Sequence, residues 1–409
     1  MLISFYVSKH IMYILRFYFF LLVLLTLLAS CDAFYPAGPE EDELLDGPVA
    51  GLSAEQSQLF LRGDVAFNDL VFTASSGLGP TFVANSCASC HVGDGKGHPF
   101  TTLVRFGQSD SRGNLFLDQG GPQLQNRAIP GFSPETIPFG ATSSRFTPPA
   151  NTGLGYLDFV TDDAILANAD PNDANGDGIS GVPNWVSLPS YARVRSGNVF
   201  QGDKVIGRYG RKASTYNLLQ QTANAFNQDI GITSEYATID AHSGLEIEPE
   251  VRTQTIHDIV FYLQTLKAPI QRTPTDLDVV IGKKTFIAIG CGGCHTPTMK
   301  TGNAPVSALS NVEFNAYTDL LMHDMGPALD DGYTEGSATS AEWRTTPLWG
   351  LGLSPNSQGG SYFLMHDGRA RSIDAAIRLH GGEAQRSLDL FNALSSNKVS
   401  ALLKFLESL

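Results

Sequence analysis

Apolar residues recur three and four positions apart in several stretches of the chain. Ile256, Ile259, Val260 and Leu263 form one set, and Val399, Leu402, Leu403 and Leu406 another. That spacing places each set on one face of a helix and predicts helices over 258–266 and 401–409. A further helix is expected from Val280 to Ile289, directly before Cys291. Ser372 to Leu379 reads as a short helix carrying Ile373, Ala376, Ile377 and His380 on one face, halted by Gly381 and Gly382. Between these segments the pattern is irregular. Pro and Thr cluster at 269–274, which reads as a boundary between two periodic regions.

The N-terminus has a different pattern. Lys9, His10 and Arg16 precede an apolar run from Phe17 to Leu28, which closes on Leu28-Ala29-Ser30-Cys31. A basic start, a short apolar stretch and small residues before a cysteine read as a lipoprotein signal peptide over 1–31, with Cys31 as the lipidated residue. The alternative, a transmembrane anchor, wants ~20 uninterrupted apolar residues, more than are present. An exported, lipid-anchored protein is expected, in the periplasm or on the outer face of the cytoplasmic membrane. Residues 32–50, with Pro36, Pro39 and the acidic Glu40 to Glu43, read as a solvated tether. The remaining chain is long enough for a sizeable core. A formal net charge of −14 with 17% charged residues argues against nucleic acid as a partner.

Chemistry enters with the cysteines. Cys87-Ala88-Ser89-Cys90-His91 and Cys291-Gly292-Gly293-Cys294-His295 are two copies of Cys-x-x-Cys-His. Two thiols on one turn can add across the two vinyl groups of a haem, while the next residue presents an imidazole to the iron. The competing readings are a zinc site built from both Cys pairs, two short disulfides, or a redox-active dithiol. With nine His in 409 residues, a His after both pairs by accident is improbable, so two covalently bound haem c groups are expected. Four cysteines on haem and Cys31 on lipid account for all five.

A repeat organises the rest. Arg127 to Pro130, Gly210-Arg211 and a helix follow the first motif, and Arg344 to Pro347, Gly368-Arg369 and a helix follow the second. The expected fold is therefore mainly α: two cytochrome c-like haem domains in tandem, at 51–268 and 275–409, with long irregular loops. The first domain carries a loop-rich insert at 132–207. Within it, Asp173, Asn175 and Asp177, with Gly178, resemble the start of a calcium loop. Asn184 stands where such a loop has its Glu, and an Asx-rich turn is the other reading.

The residues carrying these elements resemble the di-haem oxidoreductase and peroxidase family. Its relatives include the bacterial di-haem cytochrome c peroxidases and the di-haem enzyme that matures methylamine dehydrogenase. The resemblance rests on both haem motifs, Leu124-Gln125-Asn126-Arg127-Ala128-Ile129-Pro130-Gly131, Asp177 to Gly181, His323-Asp324-Met325-Gly326, Trp343 to Gly350, and His366-Asp367-Gly368-Arg369-Ala370-Arg371 followed by His380-Gly381-Gly382-Glu383. In the related peroxidases a Met fourteen residues beyond the His-Asp-Gly histidine ligates the C-terminal haem iron, and in the maturation enzyme a Tyr does. Here that position is His380, with His295 on the other side of the iron. Met325 and Met365 are rival ligands. A second imidazole stabilises ferric iron where a thioether favours ferrous, so this departure implies a low-potential second haem.

For the first haem, bound through His91, the corresponding helix runs from Tyr216 to Phe226 and offers amides but no strong ligand. The family places a Gln and an acid over an open iron there, which implies Gln221 and Asp229 as catalytic residues, while His98 is a rival reversible ligand. Relatives often place a Trp between the haems; this chain has Arg211 in that segment, with Trp185, Trp343 and Trp349 elsewhere. The resemblance implies a peroxidase that reduces hydrogen peroxide at the N-terminal haem, with electrons passed through the C-terminal haem from an unidentified donor such as a small redox protein. A non-catalytic electron-transfer cytochrome and an oxidase of a protein side chain are the other readings.

Overall fold

The computed structural model describes residues 12–21, 40–108, 110 and 113–409. The chain separates into two units, Met1–Glu43 and Leu44–Leu409. In the first, residues 12–21 are helical and exposed and Glu41–Glu43 form a 3-10 turn. Lys9, His10 and Cys31 lie outside the described residues. No helix among the described residues is long and apolar enough to cross a membrane.

The principal helices of the second unit are α1 (Ala54–Asn68), α2 (Leu218–Asn224), α3 (Thr253–Thr265), α4 (Leu277–Ala288), α5 (Ile373–Arg378) and α6 (Ser396–Ser408). Ser53 opens α1 with a reciprocal capping box to Gln56, and Asp276 opens α4 by accepting from the Asp278 and Val279 amides. Two helix pairs are built alike. In α1, a Cβ on Gly63 would meet the Asp258 carbonyl and Tyr262 of α3; in α4, a Cβ on Gly282 would meet the Ala401 carbonyl and Phe405 of α6. Each glycine thus lets two backbones touch. Above each crossing stands an aromatic ladder: Phe67 lies 5.6 Å from Tyr262 and 6.0 Å from His91, and Phe286 lies 5.5 Å from Phe405 and 6.3 Å from His295, between ring centroids. Phe405, fully buried, contributes about 1.5–3 kcal/mol through burial alone.

The mainly α expectation does not hold. Only 34% of the described residues are helical and 12% lie in strands or bridges, and no clear pair of cytochrome c domains emerges. Among the described residues are five two-stranded antiparallel sheets. Two position side chains of interest: β1 (Leu103–Gly107) with β2 (Thr142–Phe146), and β3 (Met322–Asp324) with β4 (Glu342–Arg344), the latter registering His323 opposite Trp343. The physical reason is twofold. Forty-one Gly and twenty-two Pro break helices throughout the connecting segments. In addition, the insert does not hang off one half. Leu157, Val160, Ile165 and Ile206 pack with Met299, Phe314, Leu320 and Trp349 into a core shared by both halves, and Val182 bridges to Met322.

Candidate haem sites

Both Cys-x-x-Cys-His segments fold into the same turn. The Cys90 and His91 amides donate to the Cys87 carbonyl at 3.1 and 3.0 Å, and the Cys294 and His295 amides donate to that of Cys291, His295 at 3.0 Å. One helical turn brings two cysteines three apart to one side and presents the next residue's imidazole beside them. Burial pushes the thiols of Cys87, Cys90 and Cys291 up to about 12 and raises that of Cys294. They are therefore neutral thiols in apolar surroundings, unlike the thiolates of a redox dithiol. All four are free, and among the described residues no three His, Cys, Asp or Glu side chains group as a metal site, so the zinc reading falls. Burial also holds His91 and His295 neutral, each pushed down to about 4. His295 Nδ1 donates to the Tyr317 carbonyl at 2.9 Å, which leaves Nε2 with its lone pair free. His91 Nδ1 is buried, with the Pro149 backbone its only stabilising neighbour and no hydrogen bond of ordinary geometry.

Each turn opens on its own cavity, about 560 Å³ beside Cys87, Cys90 and His91 and about 210 Å³ beside Cys291, Cys294 and His295. The walls are mostly apolar, with a few convergent polar groups, as a large planar prosthetic group requires. Neutral imidazoles, unpaired thiols and these two cavities fit one haem each.

Gln221 and Asp229 both line the first cavity, although neither is packed against the other by a hydrogen bond. Asn217 caps α2, which carries Gln221; the Gln221 Oε1 accepts from Thr215 Oγ1 at 2.9 Å, leaving its Nε2 without a hydrogen-bond partner among the described residues. Asp229 sits in a π-helical turn, Ala225–Ile230, that continues α2. Burial raises its carboxyl to about 7, against the pull of Arg105, and its charge in turn helps raise the Cys87 and Cys90 thiols. Residues not singled out from the sequence build this corner. Gln125, 1% exposed, donates from Nε2 to the Asn227 and Gln228 carbonyls at 3.2 and 3.1 Å, and Arg105 on β1 donates to Gln228 Oε1 at 3.2 Å and forms an ion pair with Glu335 at 2.5 Å. Gln125 belongs to the Leu124 to Gly131 motif, but with Gln123, Asn126 and Arg127 beside it nothing in the local pattern marks it as buried. His98 lines neither cavity; its Nδ1 accepts from the Phe100 amide and its ring packs on Phe100 and Phe363.

His380 lines the second cavity together with His295. It follows α5, whose cap Ser372 accepts from the Ala375 amide, and its Nδ1 donates to the Ala376 carbonyl at 2.8 Å. Burial lowers its pKa, and its proximity lowers that of His295. Two imidazoles with engaged Nδ1 atoms therefore face one cavity. Met325 and Met365 line it too, as do His323 and His366. Neither of these histidines is free to ligate on equal terms. His366 stacks on Trp343, 3.7 Å between centroids and 9° from parallel, with Lys212 Nζ 3.8 Å over the same indole. His323 lies between two carboxylates, Nδ1 2.7 Å from Glu383 and Nε2 2.8 Å from Asp319, 3.4 Å from Cys294 Sγ. Burial opposes its charge, but Asp319, Cys294 and Glu383 prevail and push it up to about 12; Glu383 falls to about 2 through His323 and Ser180 despite burial. Glu383 thus fastens the turn after His380 to β3 and, through the Ser180 amide and hydroxyl at 3.0 and 2.5 Å, to the insert.

Trp343 lines the second cavity, Trp349 the first and Trp185 neither. The loop at Asp173, Asn175 and Asp177 is a run of Asx turns: their side-chain oxygens accept from the Gly178, Asp177 and Ile179 amides at 3.1, 2.8 and 2.8 Å.

Two Cys-x-x-Cys-His cavities within one compact unit define a di-haem oxidoreductase. The family described as "Di-haem oxidoreductase, putative peroxidase" matches residues 143–409, and the chain belongs to that family of enzymes. The matched stretch includes the second motif and begins after the first. No curated protein matches the sequence significantly. Among solved structures, Kuenenia stuttgartiensis hydrazine synthase pressurized with 20 bar xenon aligns over 92% of this chain and 96% of its own, at 14% identity and a TM-score of 0.40, a distant likeness.

Proposed function

We propose that the chain is a di-haem c-type peroxidase, reducing hydrogen peroxide to two waters with two electrons and two protons at the N-terminal haem. The asymmetry of the two cavities carries this reading. The second is lined by both His295 and His380, whereas the first has no imidazole besides His91 among its lining residues and offers Gln221 and Asp229. A bound haem supplies an iron position for peroxide and the electrons for its reduction, with Cys87 and Cys90 holding one group and Cys291 and Cys294 the other.

The protein's part is proton movement. A carboxyl near pH 7 is divided between its two forms at neutral pH, so Asp229 can take the proton from one peroxide oxygen and return it to the departing one, directly or through a water. The unpartnered Nε2 of Gln221 can donate to peroxide and orient it. On the other side His295 and His380 supply two neutral imidazoles, which would keep the second haem six-coordinate and low in potential. Electrons would arrive from a small redox protein, and Cys31 would carry the lipid that holds the exported chain at a membrane.

Electron paramagnetic resonance of the holoprotein tests this proposal. A high-spin ferric signal lost on adding peroxide, beside an unchanged low-spin signal, is expected. Two low-spin haems indifferent to peroxide in both the oxidised and half-reduced protein would refute it and leave an electron carrier.

A further inference from the structure

The two cavities share a wall. Lys96, Arg211, Arg344 and Thr346 line both, so three of the four shared residues are cations. Arg211 is 6% and Arg344 7% exposed. Arg211 donates from Nε and Nη2 to the Thr147 carbonyl, and Arg344 from Nε to the Gly210 carbonyl and from Nη1 to that of Thr345. Neither guanidinium bonds a carboxylate. Among the described residues, no hydrogen bond engages Arg211 Nη1, Arg344 Nη2 or Lys96 Nζ.

The rest of the molecule treats buried guanidiniums differently. Arg208 pairs with Asp162, Arg105 with Glu335 and Arg195 with Asp158, each at 2.5 or 2.6 Å. The acids nearest the shared wall are already engaged: Asp367 with Arg369, and Asp319 with His323 and the Leu321 amide. Burial and mutual repulsion accordingly press Arg211 and Lys96 down to about 10 and about 7, and burial alone presses Arg344 to about 10. Clustered buried cations without anions are costly, and a fold that pairs Arg105, Arg195 and Arg208 with carboxylates leaves these three turned on two cavities.

We propose that Lys96, Arg211 and Arg344 form a carboxylate-binding wall between the cavities, which takes propionate groups of both haems. The proposal rests on the assignment of one haem to each cavity. Guanidinium forks suit carboxylates, and the free Nη groups are the donors. One wall then sets the electrostatics of both irons: each positive charge disfavours the ferric state on either side, so a change here moves both potentials together. It also gives a physical role to Arg211 in a segment where relatives often carry Trp.

Redox titration of the holoprotein with Arg344→Gln tests this, read together with the carboxylate bands of the redox-difference infrared spectrum. Both haem potentials are expected to shift negative and the propionate bands to move, while Arg344→Lys, which retains the charge, shifts both less. Lys96→Gln, at a half-buried position, provides the same test if the arginine variant does not fold. A shift confined to one haem, or unmoved propionate bands, overturns the shared wall. So do potentials that follow the concentration of added formate, since the cations would then hold a free anion. Haem content is measured first: fewer than two haems per chain would refute the haem assignment itself, an outcome distinct from failure of the wall.

Discussion

Replacing Glu383 by Gln removes one arm of the His323 ion pair while preserving volume. The Glu383 carboxylate, 13% exposed in its side chain, accepts from His323, the Ser180 amide and hydroxyl, and the Asp324 amide at 2.5–3.1 Å. Breaking a buried ion pair costs about 3–5 kcal/mol, but His323 keeps Asp319 and the amide keeps part of the network, so ~2–4 kcal/mol is expected. At about 2.1 cal/mol/K per residue this lowers Tm by roughly 3–5 °C for a unit of this size. The pH dependence is sharper. His323 is raised from 6.5 to about 12, so its contribution is fully present below pH 6.5 and is lost as pH rises toward 12. Glu383 is lowered from 4.5 to about 2, so its contribution is present above pH 4.5 and is lost as pH falls toward 2. The wild type should therefore hold its full advantage over the variant from pH 4.5 upward, and its own stability should fall above pH 6.5 by up to ~1.4 kcal/mol per pH unit. Urea unfolding at half-unit steps from pH 4 to 9 measures both. A wild-type stability that does not fall above pH 6.5, or an advantage over the variant under about 0.5 kcal/mol throughout, would refute the ion-pair account.

Asp229→Asn should lower peroxide turnover by roughly 10²–10⁴-fold and remove a rise in activity centred near pH 7, because only the ionised carboxylate accepts the proton; a variant with the wild-type pH profile would exclude Asp229. His380→Met should raise the potential of the second haem and replace the bis-imidazole low-spin signal, and an unchanged signal would point to Met325 or Met365 instead. Gly282→Val should destabilise by about 1–3 kcal/mol or more, since its Cβ meets the Ala401 carbonyl at the α4–α6 crossing, with urea midpoints as the check. Cys31→Ser should move the protein from the membrane to the soluble fraction of a cell lysate, and retention at the membrane would remove the lipid assignment.

What could be read from the sequence was local. A Cys-x-x-Cys-His segment closes on its own backbone bond from the fifth residue to the first, and both copies do so. The helices marked by 3.6-residue periodicity run at Thr253–Thr265, Leu277–Ala288 and Ser396–Ser408, because one apolar face is enough to specify a helix that packs on a core. Asp229 and Gln221 share a helix and its π-turn, so their cavity was within reach of a repeat-based argument. The mainly α expectation generalised from those few periodic segments to the irregular majority. Gly- and Pro-rich connections carry no period, and their backbone bonds close through two-stranded ribbons and side chains far away in sequence. The core shared by Leu157 and Phe314, the clasp from His323 across to Glu383 and Ser180, and the cations brought together between two cavities all join segments tens to hundreds of residues apart. Only tertiary structure decides such contacts, because buried charge and apolar surface are satisfied by whatever the fold brings near, and no short-range pattern in the chain encodes that neighbour.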